Sequence, residues 1–202
     1  MEKERVCCLD FDGTITTRDT LLAFIAYVHG RRKLFLTLGL YSAKLVAMRF
    51  GLYPNWKVKQ AIFRRLFRGM SIEEFENHCH DFAVANPHLL RPDAKRVIKQ
   101  LATDGYRLLV VSASVDDWVR PFFEEFLPEI PVTVLGTKVE VEEGALTGLF
   151  LSKNCYGPEK VNRVKEVLPH SRAHYYIIAY GDSLGDKELL GYADEGHYKP
   201  FR

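Results

Sequence analysis

Short apolar runs and longer stretches with apolar residues every three or four positions divide this chain unevenly, and the balance shifts twice. Residues 5–11 (RVCCLDF) form a compact, mostly apolar run stopped by Gly13, which predicts a buried strand. From residue 21 to about 85 the texture is helical, rich in Leu, Phe, Ala, Lys and Arg, and Gly30, Gly51, Pro54 and Gly69 divide it into several helices. Ser71-Ile72-Glu73-Glu74 has the form of a capping box, so a helix begins there, and Asn86-Pro87 ends it. Beyond Pro92 the pattern alternates. A helix over 93–103 closes at Asp104-Gly105 and leads to a buried strand over 106–112 (YRLLVVS), a helix over 115–127 and a short strand near 132–135. Residues 137–151 (TKVEVEEGALTGLFL) read as a hairpin turning at Glu143-Gly144. A helix over 159–168, a third strong strand over 175–180 (YYIIAY) and a helix from Leu184 complete the sequence of elements.

Apolar strands separated by helices predict an α/β protein with a parallel sheet. Sites in such sheets lie outside the carboxyl ends of the strands, so the residues just after each strand should share one chemistry. Asp10, Asp12, Gly13 and Thr14 follow the first strand, and Ser112, Ala113 and Ser114 the second. Gly181, Asp182, Ser183 and Asp186 follow the last, and Gly157-Pro158-Glu159-Lys160 precede the helix that leads into it. Carboxylates, hydroxyls, backbone amides and one lysine suit Mg²⁺ and a phosphate. Mg²⁺ takes a few carboxylate oxygens and keeps several waters, so Asp10 and Asp182 suffice to hold it. Two residues apart on a strand, Asp10 and Asp12 would share a face, one attacking while the other handles the proton. Gly13 allows close backbone approach to a phosphate, and a lysine with a hydroxyl would neutralise and orient the remaining oxygens.

In order, DFDGT from Asp10, VVSAS from Val110, GPEK from Gly157 and GDSLGD from Gly181 resemble the four motifs of the haloacid dehalogenase (HAD) superfamily. The resemblance spans nearly the whole chain. It implies a Rossmann-like parallel sheet flanked by helices, residues 1–16 and 91–202, with a small helical cap, residues 17–90, inserted after the first strand. It also implies a Mg²⁺-dependent phosphatase. Asp10 would be the nucleophile that forms an aspartyl-phosphate, and Asp12 would protonate the leaving group and then activate water. Gly13, Thr14, Ser112, Ala113 and Lys160 would bind the phosphate. Asp10, Asp182 and the backbone carbonyl at Asp12 would hold Mg²⁺, with Asp186 as the outer carboxylate. A helical cap at this place looks like the phosphoserine-phosphatase-like branch (subfamily IB). Asp19 stands where those enzymes carry a glutamate that contacts the substrate amino group. Ser112-Ala113-Ser114 departs from that branch's Ser-Gly-Gly, and residues 181–186 from its G-D-G-x-N-D, which weighs against phosphoserine itself. The expected substrate is a small phosphorylated metabolite.

Charge changes the picture in one region. The 202 residues carry a net +2, yet from Thr20 to Ile72 there are ten Lys or Arg and no Asp or Glu, while the remainder has 18 basic and 26 acidic residues. The basic part should face something anionic. Residues 34–43 (LFLTLGLYSA) are apolar on all sides behind Arg31-Arg32-Lys33, but a spanning helix needs about 20 apolar residues. Two uses stay open: packing among the cap helices under a solvated charged face, or a basic, apolar-faced helix lying on anionic lipid. A HAD branch that acts on phosphatidylglycerophosphate also has a hydrophobic cap and a similar C-x-G-x-E-K spacing, here Cys155 to Lys160. A phospholipid-headgroup phosphatase meeting an anionic membrane through residues 31–68 is therefore one alternative, and a non-catalytic phosphate-binding module another. Nucleic acid is not an expected partner, because the basic segment carries no recognisable binding motif.

Four scattered cysteines without a C-x-x-C pair exclude a disulfide framework or zinc site as the expectation, and Met1–Arg5 is too mixed in charge for a signal peptide. A cytoplasmic protein is expected, or one peripheral at the inner membrane face. Cys7 and Cys8 read as core residues, and the seven histidines, which show no ligand spacing, as surface residues.

Overall fold

The structure is a computed structural model and describes residues 3–201. In chain order the strands are β1 (Glu4–Leu9), β2 (Arg107–Val115), β3 (Val132–Thr137), β4 (Val139–Glu142), β5 (Ala145–Phe150), β6 (Tyr175–Gly181) and β7 (Glu195–Tyr198). The α-helices are α1 (Thr20–Leu40), α2 (Ser42–Arg49), α3 (Asn55–Phe67), α4 (Ile72–Ala85), α5 (Pro92–Thr103), α6 (Asp116–Phe126), α7 (Pro158–Val167) and α8 (Lys187–Tyr192). Five strands form one sheet in the order β3-β2-β1-β6-β7, every neighbouring pair parallel, while β4 and β5 make a separate antiparallel hairpin. This is the parallel α/β sheet that the strand–helix alternation predicts, in the Rossmann-like form that the motif resemblance implies.

Both faces of the sheet are covered, which is why its strands read as continuous apolar runs rather than alternating ones. Val6 and Cys8 of β1 pack with Val164, Leu168 and Leu189 on the α7–α8 side. Cys7 and Leu9 point the other way, into a cluster with Ile98 of α5 and Val119 and Phe122 of α6. That second cluster continues into the helices between β1 and α5. Phe24 stacks on Trp118 at 5.1 Å and on Phe67 at 5.6 Å, and Phe82 meets Phe122 at 5.7 Å. Helix α4 starts as its sequence requires, with the Ser71 hydroxyl accepting from Glu74 N at 3.1 Å. Helix α1 is broken at Gly30, whose φ of 80° and ψ of 154° no helix contains.

The hairpin binds the helical segment through its backbone. Gly69 N donates to Leu146 O at 2.8 Å, Leu146 N to Met70 O at 2.9 Å and Ile72 N to Gly144 O at 2.9 Å. Its turn falls at Glu143 and Gly144, both with positive φ, as the sequence pattern predicts. Gly148 backs onto α3: a Cβ there would lie 2.7 Å from Arg64 Cα.

Several details differ from the sequence pattern. Strand β1 stops at Leu9 instead of reaching Phe11, because the chain folds at once into a tight turn over Phe11–Ile15. Strand β2 runs on through Ser112, Ala113 and Ser114 to Val115, where it still pairs with Thr137 of β3 after a register shift. His29 is not a plain surface residue; its ring lies half-buried, 4.9 Å from that of Phe67. All four cysteines are buried and free. The segment after β7 is a turn, in which Phe201 stacks on Tyr180 at 5.7 Å and its carbonyl accepts from Arg91. Among the described residues no helix is long and apolar enough to cross a membrane.

Candidate active site

The ends of β1, β2 and β6 and the start of α7 converge on one buried cluster. Asp10 leaves β1 still tied to the sheet, its N–H donating to Tyr180 O at 2.9 Å. Gly13 then takes a φ of 79°, and the turn is knit by Thr16, whose hydroxyl accepts from Gly13 N at 3.1 Å. Only glycine fits there. A Cβ at Gly13 would stand 2.6 Å from Asp182 Oδ2.

The Asp10 carboxylate is almost fully buried and accepts two hydrogen bonds, from Lys160 Nζ at 2.6 Å and from the Thr14 hydroxyl at 2.9 Å. Lys160 Nζ also reaches Asp186 Oδ1 at 2.5 Å, so one buried ammonium sits between two buried carboxylates. Burial alone would lower the Lys160 ammonium, but the two carboxylates outweigh it and raise it above the usual lysine range. For Asp10, burial dominates and pushes its carboxyl up to about 7; Lys160 opposes this, and the charges on Asp186 and Asp12 add to it. Asp186 comes out below the carboxylate range: burial raises it, but Lys160 and hydrogen bonds from the Ser183 hydroxyl and N–H prevail.

Asp12 does not share a strand face with Asp10, because the chain has already left the pleat. Other groups aim it. Its Oδ1 accepts from both the N–H and the hydroxyl of Thr20 at 2.6 Å, in the first turn of α1, and its Oδ2 accepts from the Ser114 hydroxyl at 2.5 Å. The buried Trp118 indole in turn donates to the Thr20 hydroxyl at 3.2 Å. Ser112 is fully buried; its hydroxyl lies 3.5 Å from Asp12 Oδ2 and accepts from Ser114 N at 3.0 Å. Ala113 contributes its carbonyl, which accepts from Thr137 at 2.8 Å and from Lys59.

Asp10, Asp182 and Asp186 each bring a carboxylate oxygen within 4.8 Å of the others. An all-oxygen, anionic donor set fits a hard divalent cation such as Mg²⁺ and suits soft metals poorly. The side chain of Asp12 accepts from Thr20 and Ser114 and stands outside this group of three carboxylates.

Above the carboxylates opens a cavity of about 750 Å³. Its floor is polar, with Asp10, Asp12, Lys160 and Asp182, while Leu38, Leu45, Met48 and Ile62 give its upper wall an apolar lining. Asp19 caps α1 through Leu22 N at 3.2 Å and lines the cavity; the dense surroundings and the nearby Asp12 charge raise its carboxyl to about 6. Opposite, α3 sends in Lys59, whose Nζ donates to the Ala113 carbonyl and to Asn154 Oδ1, the latter at 3.2 Å. Burial lowers this ammonium to about 8 in spite of Asp12 and Asp19. The motifs point to neither Lys59 nor Asn154, nor to Thr20 as a partner of Asp12. One signal for Lys59 was present: it lies three and four residues before the buried Ile62 and Phe63, inside the apolar stripe of α3.

Comparison with known proteins agrees with this assembly. The family model described as haloacid dehalogenase-like hydrolase matches residues 7–191. Protein CicA of Caulobacter vibrioides is 37% identical over 196 residues, covering 96% of this chain and 85% of that protein. A Bordetella pertussis protein of unknown function superposes with a TM-score of 0.79 at 19% identity, over 96% of this chain and 89% of that one. A substrate-bound phosphoserine phosphatase superposes at 0.64 with 18% identity, over 98% and 87%. The matched span runs from β1 to beyond Asp186 and so takes in all four motif segments together with the helices between them; this chain belongs to the haloacid dehalogenase-like hydrolase family, with the phosphoserine-phosphatase-like fold that the helical segment after its first motif implies.

Proposed function

We propose that the chain is a Mg²⁺-dependent phosphomonoester hydrolase that works through an aspartyl-phosphate on Asp10, with a small phosphorylated metabolite as substrate. The observation that carries this reading is the pairing of two differently held carboxylates at the floor of one cavity. Asp10 is gripped by Lys160 and Thr14, and Asp12 is aimed from the other side by Thr20 and Ser114.

An Asp10 oxygen forms a bond to phosphorus while the ester oxygen leaves. Asp12, protonated at that moment, gives its proton to the departing alkoxide. The resulting carboxylate then takes a proton from water as that water attacks phosphorus, and the P–O bond to Asp10 breaks, releasing inorganic phosphate and restoring both aspartates. In this reading Lys160 and the Ser112 hydroxyl would take up phosphate oxygens, and amides of the turn around Gly13 would lend further donors. Held by Asp10, Asp182, the Asp12 carbonyl and Asp186, Mg²⁺ would supply positive charge that offsets the phosphate and the crowded carboxylates. The helices over 17–90 act as the cap in this reading, closing the apolar wall over the leaving group.

Release of phosphate from p-nitrophenyl phosphate and from a panel of natural monoesters, with and without Mg²⁺, tests the proposal. Turnover that needs the metal, acid-stable label trapped on the wild type and no label on Asp10→Asn are expected. A protein that binds phosphate esters and never releases phosphate would overturn it in favour of a non-catalytic binding module.

A further inference from the structure

After its break at Gly30, helix α1 continues into α2 and the loop toward α3, and this stretch has a surface unlike the rest of the molecule. Phe35, Leu36, Leu40, Val46, Phe50 and Leu52 are between 57% and 80% exposed. Helix α2 buries no residue. The basic side chains stand among them: Arg31, Arg32, Lys33, Lys44 and Arg49 are all exposed, with no Asp or Glu between Thr20 and Ile72. Packing of the helices accounts for only part of the apolar run: Leu34, Leu38 and Tyr41 pack inward, but Phe35, Leu36 and Leu40 face outward. A large apolar patch set in charge of one sign marks an interaction surface. The inner sides of the same two helices carry Leu38, Leu45 and Met48, which line the cavity.

We infer that this face docks on an anionic phospholipid bilayer, with Phe35, Leu36, Leu40 and Phe50 entering the boundary between headgroups and acyl chains and the arginines and lysines meeting lipid phosphates. Charge complementarity selects this occupant. A second copy of the chain would set basic residues against basic residues, which opposes pairing. A nucleic acid would meet the charges and could stack on Phe35 and Phe50, but it would leave the aliphatic majority of the patch, Leu36, Leu40, Val46 and Leu52, without apolar cover. A bilayer satisfies both features, and no spanning helix is needed. Docking itself does not depend on the phosphatase reading. If that reading holds as well, the apolar wall of the cavity lies on helices that touch lipid, and a phosphate ester with an apolar tail can enter from the membrane side.

Co-sedimentation of the full chain with vesicles tests the inference, beside p-nitrophenyl phosphate turnover in lipid-free buffer as a separate reading of the site. The wild type should pellet with phosphatidylcholine vesicles containing about a third phosphatidylglycerol, stay in solution with phosphatidylcholine alone, and dissociate at about 1 M salt, where the Debye length is about 3 Å. Neutralising Arg31→Gln, Arg32→Gln and Lys33→Gln together should weaken partitioning about a hundredfold. Leu36→Ser with Phe50→Ser should weaken it about tenfold or more, with turnover unchanged. No pelleting with anionic vesicles would overturn the inference, and so would equal binding by the wild type and both variants. A solution dimer that Leu36→Ser with Phe50→Ser converts to monomer would assign the face to a second copy instead.

Discussion

Lys59 sits in a position where removing a charge should make the protein more stable and less able to handle an anionic substrate. Its ammonium is lowered from 10.5 to about 8 by burial. A folded-state value below the unfolded one means that the charged form is disfavoured on folding. The cost is therefore fully present below about pH 8 and disappears as pH rises through the unfolded value near 10.5. The drop corresponds to about 3 kcal/mol. Lys59 keeps partial solvent contact, and Asp12 and Asp19 lose a nearby cation when it goes, so about 1–2 kcal/mol is the better expectation. One of its two partners keeps a donor, because the Thr137 hydroxyl gives its single proton to the Ala113 carbonyl at 2.8 Å; Asn154 Oδ1, 3.4 Å from the same hydroxyl, must turn to solvent in the open cavity. Methionine is the matching replacement: Lys59 Nζ already lies 5.1 Å from the centre of the Phe150 ring, a place that suits a thioether. Urea unfolding of Lys59→Met at pH 7 should show the variant more stable by about 1–2 kcal/mol, or a few degrees in Tm for a chain of this length. The gap should close between about pH 8 and pH 10.5. In parallel, wild-type kcat/KM for a doubly anionic substrate should fall as pH rises through about 8, a decline that Lys59→Met lacks. A variant that is less stable at pH 7, by an amount independent of pH, would refute the reasoning.

The remaining predictions concern the carboxylates. Gly13→Ala adds a methyl group 2.6 Å from Asp182 Oδ2 at a φ of 79°, so turnover should fall at least about a hundredfold while circular dichroism stays native. Thr20→Val keeps shape and the backbone N–H but removes one hydrogen bond to Asp12 and the acceptor of the Trp118 indole; the lost bond to Asp12, at about 1.5–3 kcal/mol, should drop kcat roughly 10- to 100-fold with KM little changed, and the stranded indole should lower Tm as well. Addition of Mg²⁺ to metal-free protein should raise Tm in proportion to the logarithm of its concentration, because it relieves the crowding of Asp10, Asp182 and Asp186. Asp182→Asn should blunt that rise.

How much of this was legible follows from where the signals lie along the chain. Asp10, Gly13, Lys160 and Asp186 stand in short segments whose punctuation is local: an apolar run, a glycine, a helix start. Ser112-Ala113-Ser114 reads as the polar end of a strand, yet in the fold those residues stay in β2 and both hydroxyls turn to Asp12. Asp12 is likewise placed by contacts that local spacing does not encode. Its partners Thr20 and Ser114 are 8 and 102 residues away, and no spacing rule joins them. Lys59 was hidden as one of ten basic residues in a long basic stretch, and only its register with Ile62 and Phe63 set it apart. The apolar run over 34–43 told of hydrophobicity without direction, and the structure adds that Leu34 and Thr37 face inward while Phe35, Leu36 and Leu40 face water.

The three backbone hydrogen bonds between the β4–β5 hairpin and residues 69–72 give the molecule a property of its own. They lock the end of α3 and the start of α4 to a segment that follows β3, more than 70 residues later in the chain. With Phe24, Phe67, Phe82, Trp118 and Phe122 in one aromatic cluster, the helical segment and the sheet share a core, so melting of either would expose apolar surface of the other. Calorimetry should accordingly find a single two-state transition, with the van't Hoff enthalpy equal to the measured one. A helical segment early in the chain is in this way tied thermodynamically to a hairpin more than 70 residues further on.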